Sequence, residues 1–224
     1  MVKWNEQKKW IDFGITTYCN AACPSCPRTD EDVQQAWPWL TPTHVDAKEL
    51  VKVFERNDYF PGVEYIRFCG ERGDPMMHPD IEYLIDAVCS HRKVGINTNG
   101  SLRNPDFYKR IAEKHGPNCN IIFSIDGFAD TNHIYRMGLD FDAIWNNFTT
   151  FCKADGWADW DFLVWSHNWH QIPKVKEEAK KLGIEHVEFK VTHQGTHRQS
   201  DGTPIVKSVE DEQTLNIIYG LING

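Results

Sequence analysis

The sequence has no apolar run approaching the ~18–20 residues that cross a bilayer, which excludes a membrane-spanning helix. Its first residues, Met1-Val2-Lys3-Trp4-Asn5-Glu6, lack the apolar stretch of a secretory signal, so a cytoplasmic, single-domain protein is expected. A basic excess is missing too. Lys and Arg number 24 against 32 Asp and Glu, and a formal charge of −8 argues against a general affinity for nucleic-acid phosphates. Internal repeats and low-complexity tracts are absent. Hydrophobic residues at 41% and charged residues at 25% of 224 match ordinary globular usage, which excludes disorder as the main state.

Seven cysteines, at 19, 23, 26, 69, 89, 119 and 152, are an odd number in a chain without an export signal, so no disulfide framework is expected. Four are scattered singly and read as small buried hydrophobes, with Cys69 also open as a stray ligand. Three crowd into Cys19-Asn20-Ala21-Ala22-Cys23-Pro24-Ser25-Cys26. Structural zinc ordinarily draws on two separated ligand pairs, and the second pair is missing. Three thiolates from one loop suit three corners of a cubane iron–sulfur cluster, which leaves one iron open for chemistry.

Along the chain, runs rich in β-branched and aromatic residues alternate with helical periodicity. Strands are predicted at Ile11–Thr17, Val63–Cys69, Lys93–Asn97, Asn120–Ile125, Asp159–Val164 and His186–Val191. Helices are predicted at Asp46–Asn57, Pro79–Ser90, Asn104–His115, Phe141–Ala154 and Ile172–Leu182. In the last of these, Val175, Ala179 and Leu182 share one face, Pro173 suits the first turn and Gly183 suits the C-terminus. The alternation predicts an α/β fold, an open (β/α)6 partial TIM barrel of parallel strands. Residues 1–192 form that barrel. Residues 193–224 form a polar loop with His193, Gly195, His197, Arg198 and Gly202, then a short helical end, Val209–Leu221, packed on the barrel. Pro27–Thr43, holding Trp37-Pro38-Trp39, is expected to lie over the ligand site at the carboxyl ends of the strands.

Cys-x3-Cys-x2-Cys after the first strand, inside such a repeat, resembles the radical S-adenosylmethionine (radical SAM) superfamily. Flanking Thr16-Thr17-Tyr18 and Cys26-Pro27-Arg28 are similar to it as well. Ser25 departs from the pattern, since many members carry there an aromatic that contacts the adenine of SAM. The segment Cys69-Gly70-Glu71-Arg72-Gly73-Asp74-Pro75 resembles the family's Gly-Gly-Glu element. Its glycines would let backbone carbonyls approach the methionine ammonium of SAM, and either Glu71 or Asp74 would supply a carboxylate. Further resemblances place Thr98 and Asn99 on the site floor, Ser124 and Arg136 on the SAM carboxylate, and Asn168 near its ribose. Asp126 would position the substrate or cap a turn, and His78, His167 and His170 read as loop residues, the last two also as substrate-facing.

The resemblance implies an enzyme with a [4Fe-4S] cluster on Cys19, Cys23 and Cys26 and with SAM chelating the open iron. One electron from the reduced cluster would cleave SAM to methionine and a 5′-deoxyadenosyl radical, which abstracts hydrogen from a small-molecule or peptide substrate. It also implies an external one-electron reductant such as flavodoxin or ferredoxin, and sensitivity to oxygen. The barrel most resembles the peptide- and protein-modifying branch, whose cysteine-rich extension has no counterpart here, because no cysteine follows residue 152. The alternative is a non-catalytic metal-binding protein, or a degenerate SAM-binding protein of the same fold.

Overall fold

The computed structural model describes residues 9–30, 33, 35–56, 60, 62–192, 196–198 and 204–224. In chain order the elements begin with strands β1 (Trp10–Phe13), β2 (Thr29–Asp30) and β3 (Gln35–Ala36), helix α1 (Ala47–Glu55), β4 (Tyr65–Phe68) and α2 (Ile81–Cys89). Next come β5 (Lys93–Thr98), α3 (Pro105–His115), β6 (Cys119–Ser124), α4 (Asn132–Tyr135), α5 (Phe141–Lys153) and β7 (Trp157–Val164). The chain closes with α6 (Ile172–Lys181), β8 (His186–Val191), β9 (Thr196–Arg198), β10 (Pro204–Lys207) and α7 (Glu212–Asn223).

Six strands form one sheet in the order β1-β4-β5-β6-β7-β8, every neighbouring pair parallel. Spatial order follows chain order and a helix separates each pair, so the fold is the predicted open (β/α)6 partial barrel. Local chemistry sets the helix boundaries. Asp46 Oδ1 accepts from the N–H groups of Lys48 and Glu49 at the start of α1, and Asn104 caps α3 ahead of Pro105. Pro173 lies in the first turn of α6, and Gly183 follows it at φ 72°, as the sequence predicts.

The outer face of the sheet holds the core. On β7, Ala158, Trp160, Phe162 and Val164 are buried beneath helices, while Asp159, Asp161 and Leu163 alternate onto the inner face. Trp160, Phe123, Phe148, Phe151 and Tyr108 form a continuous aromatic cluster, with Phe148 5.2 Å from Trp160 and 4.9 Å from Phe123. The buried indole of Trp160 donates to the Ile125 carbonyl at 2.8 Å.

Three departures from the predicted elements have physical reasons. The first strand ends at Phe13 instead of Thr17, because the chain beyond it leaves the sheet and pairs with residues 43–45. Thr17 N–H donates to Thr43 O and Val45 N–H to Ile15 O, both at 3.0 Å. Within Pro27–Thr43, β2 and β3 form a short antiparallel hairpin. β9 and β10 also pair antiparallel where a polar loop was expected. His193, Gly195 and Gly202 lie outside the described residues, as does Asn57 at the predicted end of α1. Past the hairpin, α7 lies against α6, where Lys176 Nζ donates to the Ile222 carbonyl at 2.8 Å and Ile218 is buried.

Candidate cofactor site

At the carboxyl ends of the strands lies a cavity of about 740 Å³, bordered by Cys19, Cys23 and Cys26. The loop that carries them is shaped locally. Cys26 N–H donates to Cys23 O at 3.1 Å, closing a turn with Pro24 at its second position, where the ring's fixed φ is favoured. That turn draws Cys23 and Cys26 together. Cys23 is buried, and burial, with Cys26 and Cys19 adding to it, pushes its thiol up to about 12 against the opposing pull of Arg136. Burial also raises the Cys19 thiol, and Asp74 adds to it.

Hydrogen bonds tie the cysteine loop to the barrel. Asp74 N–H donates to Tyr18 O at 2.8 Å, Ala22 N–H to Met137 O at 3.2 Å, and Asn99 Nδ2 to Asn20 Oδ1 at 3.0 Å. Gly73 makes the first contact possible, since a Cβ there would run into the carbonyl oxygens of Thr16 and Tyr18. Its glycine is required by the closing of two loops on each other, a reason that sequence reasoning had assigned to a ligand.

Asp74 borders the cavity as well. Its buried carboxylate accepts from Thr98 Oγ1 at 2.9 Å, Asn99 N–H at 2.8 Å and Met76 N–H at 2.9 Å, so it braces the β4 and β5 ends. Burial raises its pKa against the lowering effect of these hydrogen bonds. Glu71 stands exposed at the rim of the same cavity. Gly70, Gly73, Thr98 and Asn99 border the cavity, and so do Ser124 at the end of β6 and Arg136 after α4. Thr98 and Asn99 spend their side chains on the Asp74 and Asn20 contacts.

Asp126 and Asn168 are fully buried and do not border the cavity. Asp126 is fully buried, accepting Arg136 Nε at 2.6 Å and Leu163 N–H at 2.7 Å. Asn168, equally buried, donates to Asp126 O and Leu163 O and accepts from Trp165 N–H at 2.7 Å. Burial works against the Arg136 charge, yet Asp126 and Cys23 beside it hold the guanidinium charged. One Nη of Arg136 reaches to 4.0 Å from Cys23 Sγ. Asn168 braces Asp126, Asp126 aims Arg136, and Arg136 faces the thiols.

Other candidates sort by position. Cys69 borders the cavity, and burial first, then Asp12, raises its thiol. His78 is buried. Its Nδ1 accepts from Asp80 N–H, so Nε2 carries the proton given to Val45 O at 2.8 Å. His167 and His170 do not border the cavity, and burial, with His133 and His170 nearby, lowers His167 to about 4. Trp37 stacks on Trp39, and Arg72 at the cavity rim sits 5.0 Å over the Trp39 ring.

The inner wall itself was missed. Arg67 forks onto Asp12 at 2.8 and 2.9 Å, and Lys190 contacts Asp161 at 2.6 Å and Glu188 at 3.0 Å. The period-two alternation of β7 and β8 was the available signal. Tyr65 was missed too. Its ring crosses Gly95, where a Cβ would collide with the phenol, and its hydroxyl donates to Asn120 Oδ1 at 3.0 Å. A larger cavity of about 1240 Å³, bordered by Trp10, Tyr65 and Lys93, opens at the amino ends of the strands. Parallel strand–helix folds place their chemistry at the opposite end, where the cysteines are.

A cubane cluster fits the donor set. Among the described residues no three His, Cys, Asp or Glu side chains gather closely enough for one metal ion. Four thiolates on one zinc would sit about 3.8 Å apart. A cubane takes one thiolate per iron, and three thiols from one loop beside an open cavity suit three of its corners.

The sequence profile of the Radical SAM superfamily matches residues 13–178. The chain is 25% identical over 131 residues to the tungsten-containing aldehyde ferredoxin oxidoreductase cofactor-modifying protein of Pyrococcus furiosus, covering 58% of this chain and 34% of that protein. Streptococcus suis SuiB bound to S-adenosylmethionine superposes with a TM-score of 0.71 at 16% identity, covering 96% of this chain and 47% of SuiB. SuiB bound to its precursor peptide SuiA matches equally, with a TM-score of 0.71. anSMEcpe with bound AdoMet gives 0.68 at 15% identity, covering 96% of this chain and 57% of that one. The chain thus spans between about a third and somewhat over half of the length of these relatives. With the profile running from β1 into α6 and the three thiols at the strand ends, this chain belongs to the radical SAM superfamily.

Proposed function

We propose that the chain is a radical SAM enzyme that holds a [4Fe-4S] cluster on Cys19, Cys23 and Cys26 and binds SAM across the cavity beside them. The observation that carries this reading is the convergence of three thiols from one loop, Arg136 and the Gly70–Asp74 segment on one cavity. When bound, the cluster and SAM would supply a 5′-deoxyadenosyl radical by one-electron cleavage of the carbon–sulfur bond.

The chain's own residues do the positioning. Arg136, aimed by Asp126, and the Ser124 hydroxyl meet the SAM carboxylate, a guanidinium being matched to two carboxylate oxygens. Glu71 at the rim accepts from the SAM ammonium, together with backbone carbonyls of the glycine segment. Asp126 and Asn168 keep those groups in register from behind the wall, and Asp74, Thr98 and Asn99 brace one another at the cavity border. Tyr65 across Gly95 fills the barrel interior below the inner wall and limits entry of water from the amino end.

The substrate is a small molecule or a peptide, the latter supported by the peptide-bound form of SuiB. An external one-electron reductant of the flavodoxin or ferredoxin kind, a cytoplasmic setting and oxygen sensitivity belong to the same reading. No helix among the described residues is long and apolar enough to cross a membrane. Anaerobic reconstitution with iron and sulfide, followed by SAM and dithionite, is expected to yield 5′-deoxyadenosine. Cys23→Ala should abolish both iron retention and that product. Iron content equal to wild type in the variant would sink the site assignment.

A further inference from the structure

We infer that Asn97 on β5 and Thr192 after β8 are two substrate-recognition points on one cavity, each taking an uncharged hydrogen-bonding group, an amide or a hydroxyl. The inference rests on the cofactor reading above and concerns the same cavity. Both residues border that cavity. Among the described residues, Asn97 Oδ1 and Thr192 Oγ1 are both shielded from water and have no hydrogen-bond partner, and Thr192 is only 8% exposed. Unpaired buried polar atoms are rare in folded proteins because each forfeits its hydration without compensation. A substrate group is what would satisfy them.

Neither residue serves the cofactor scaffold. The cysteine loop is held by Tyr18, Asn20 and Ala22, and the arginine by Asp126. Both have their backbones pinned. Asn97 is in register with Ile122 of β6, and Thr192 N–H donates to Val164 O at 3.3 Å. Side chains on such rigid elements are suited to recognition.

The charge state of the wall selects the ligand class. Arg67 is matched by both oxygens of Asp12, and Lys190 is flanked by Asp161 and Glu188. Arg67 and Lys190, the cations that β4 and β8 bring to this part of the wall, are therefore already neutralised within it. An incoming carboxylate or phosphate would have to break the Arg67 fork or face two carboxylates behind Lys190. A neutral amide meets neither obstacle. An amide N–H suits the Asn97 oxygen, and an amide carbonyl suits the Thr192 hydroxyl.

The test uses two probes on the chain reconstituted with cluster and SAM: N-acetylglycinamide, a neutral diamide, and N-acetylglycinate, its anionic counterpart. Binding is measured by NMR titration for wild type, Asn97→Leu and Thr192→Val. The diamide should bind wild type more tightly than the anion, and each substitution should weaken it about three- to tenfold. Melting temperature should stay level or rise in both variants, because an orphaned polar atom is removed, while iron content and SAM affinity hold. Tighter binding of the anion, diamide binding that neither substitution changes, no diamide binding at all, or a lowered melting temperature would overturn the proposal. Failure of wild type to take up cluster or SAM would sink the cofactor reading instead. The same titration on the cluster-free chain would still decide the two recognition points.

Discussion

The two faces of one set of strands behave as different materials. Outward residues of β6 and β7 (Phe123, Trp160, Phe162) sit in a dry aromatic layer under α3, α5 and α6. Inward residues of β4, β5, β7 and β8 (Arg67, Asn97, Asp161, Lys190) are polar, partly wet and partnered in pairs or not at all. Stability is concentrated on the first face, and function is drawn from the second. Alternation along a strand makes this separation possible without any insertion, since adjacent residues serve opposite purposes.

Substitutions on the two faces should therefore differ sharply in size. Trp160→Ala on the outer face should cost about 3–5 kcal/mol of folding stability, measured by denaturant unfolding, because it empties the centre of the aromatic cluster. Asp126→Asn, behind the inner wall, strands the Arg136 charge and should cost about 3 kcal/mol, with a parallel loss of SAM affinity read by equilibrium binding. If SAM affinity held while stability fell, Arg136 would have no part in the site. Asp12→Asn on the inner wall breaks a pair whose members are 39% and 36% exposed, so its effect should stay below about 1 kcal/mol. A cost comparable to Trp160→Ala would mean that the inner wall, too, is a structural core.

The same contrast explains what the sequence could reveal. Outer-face periodicity and helix caps are local signals, so the six strands, α6 with Pro173 and Gly183, and the parallel order were all legible. The cysteine loop was legible because its spacing is itself the chemistry. Partnerships between distant segments were not. Nothing in residues 69–79 reveals that Thr98 and the Asn99 N–H reach the Asp74 carboxylate. Nor do the residues around Asn168 show that its amide meets Asp126, Leu163 and Trp165. Tyr65 and Gly95 stand thirty residues apart, and only the fold brings the ring across the strand.

The central claim is that the three thiols hold a cluster with an iron left open to SAM. The most direct measurement is electron paramagnetic resonance of the anaerobically reconstituted, dithionite-reduced protein, with and without SAM. The account predicts a cubane signal that shifts on addition of SAM and vanishes in Cys19→Ala, Cys23→Ala and Cys26→Ala alike. A signal indifferent to SAM, or a protein that retains zinc and no iron, would contradict it.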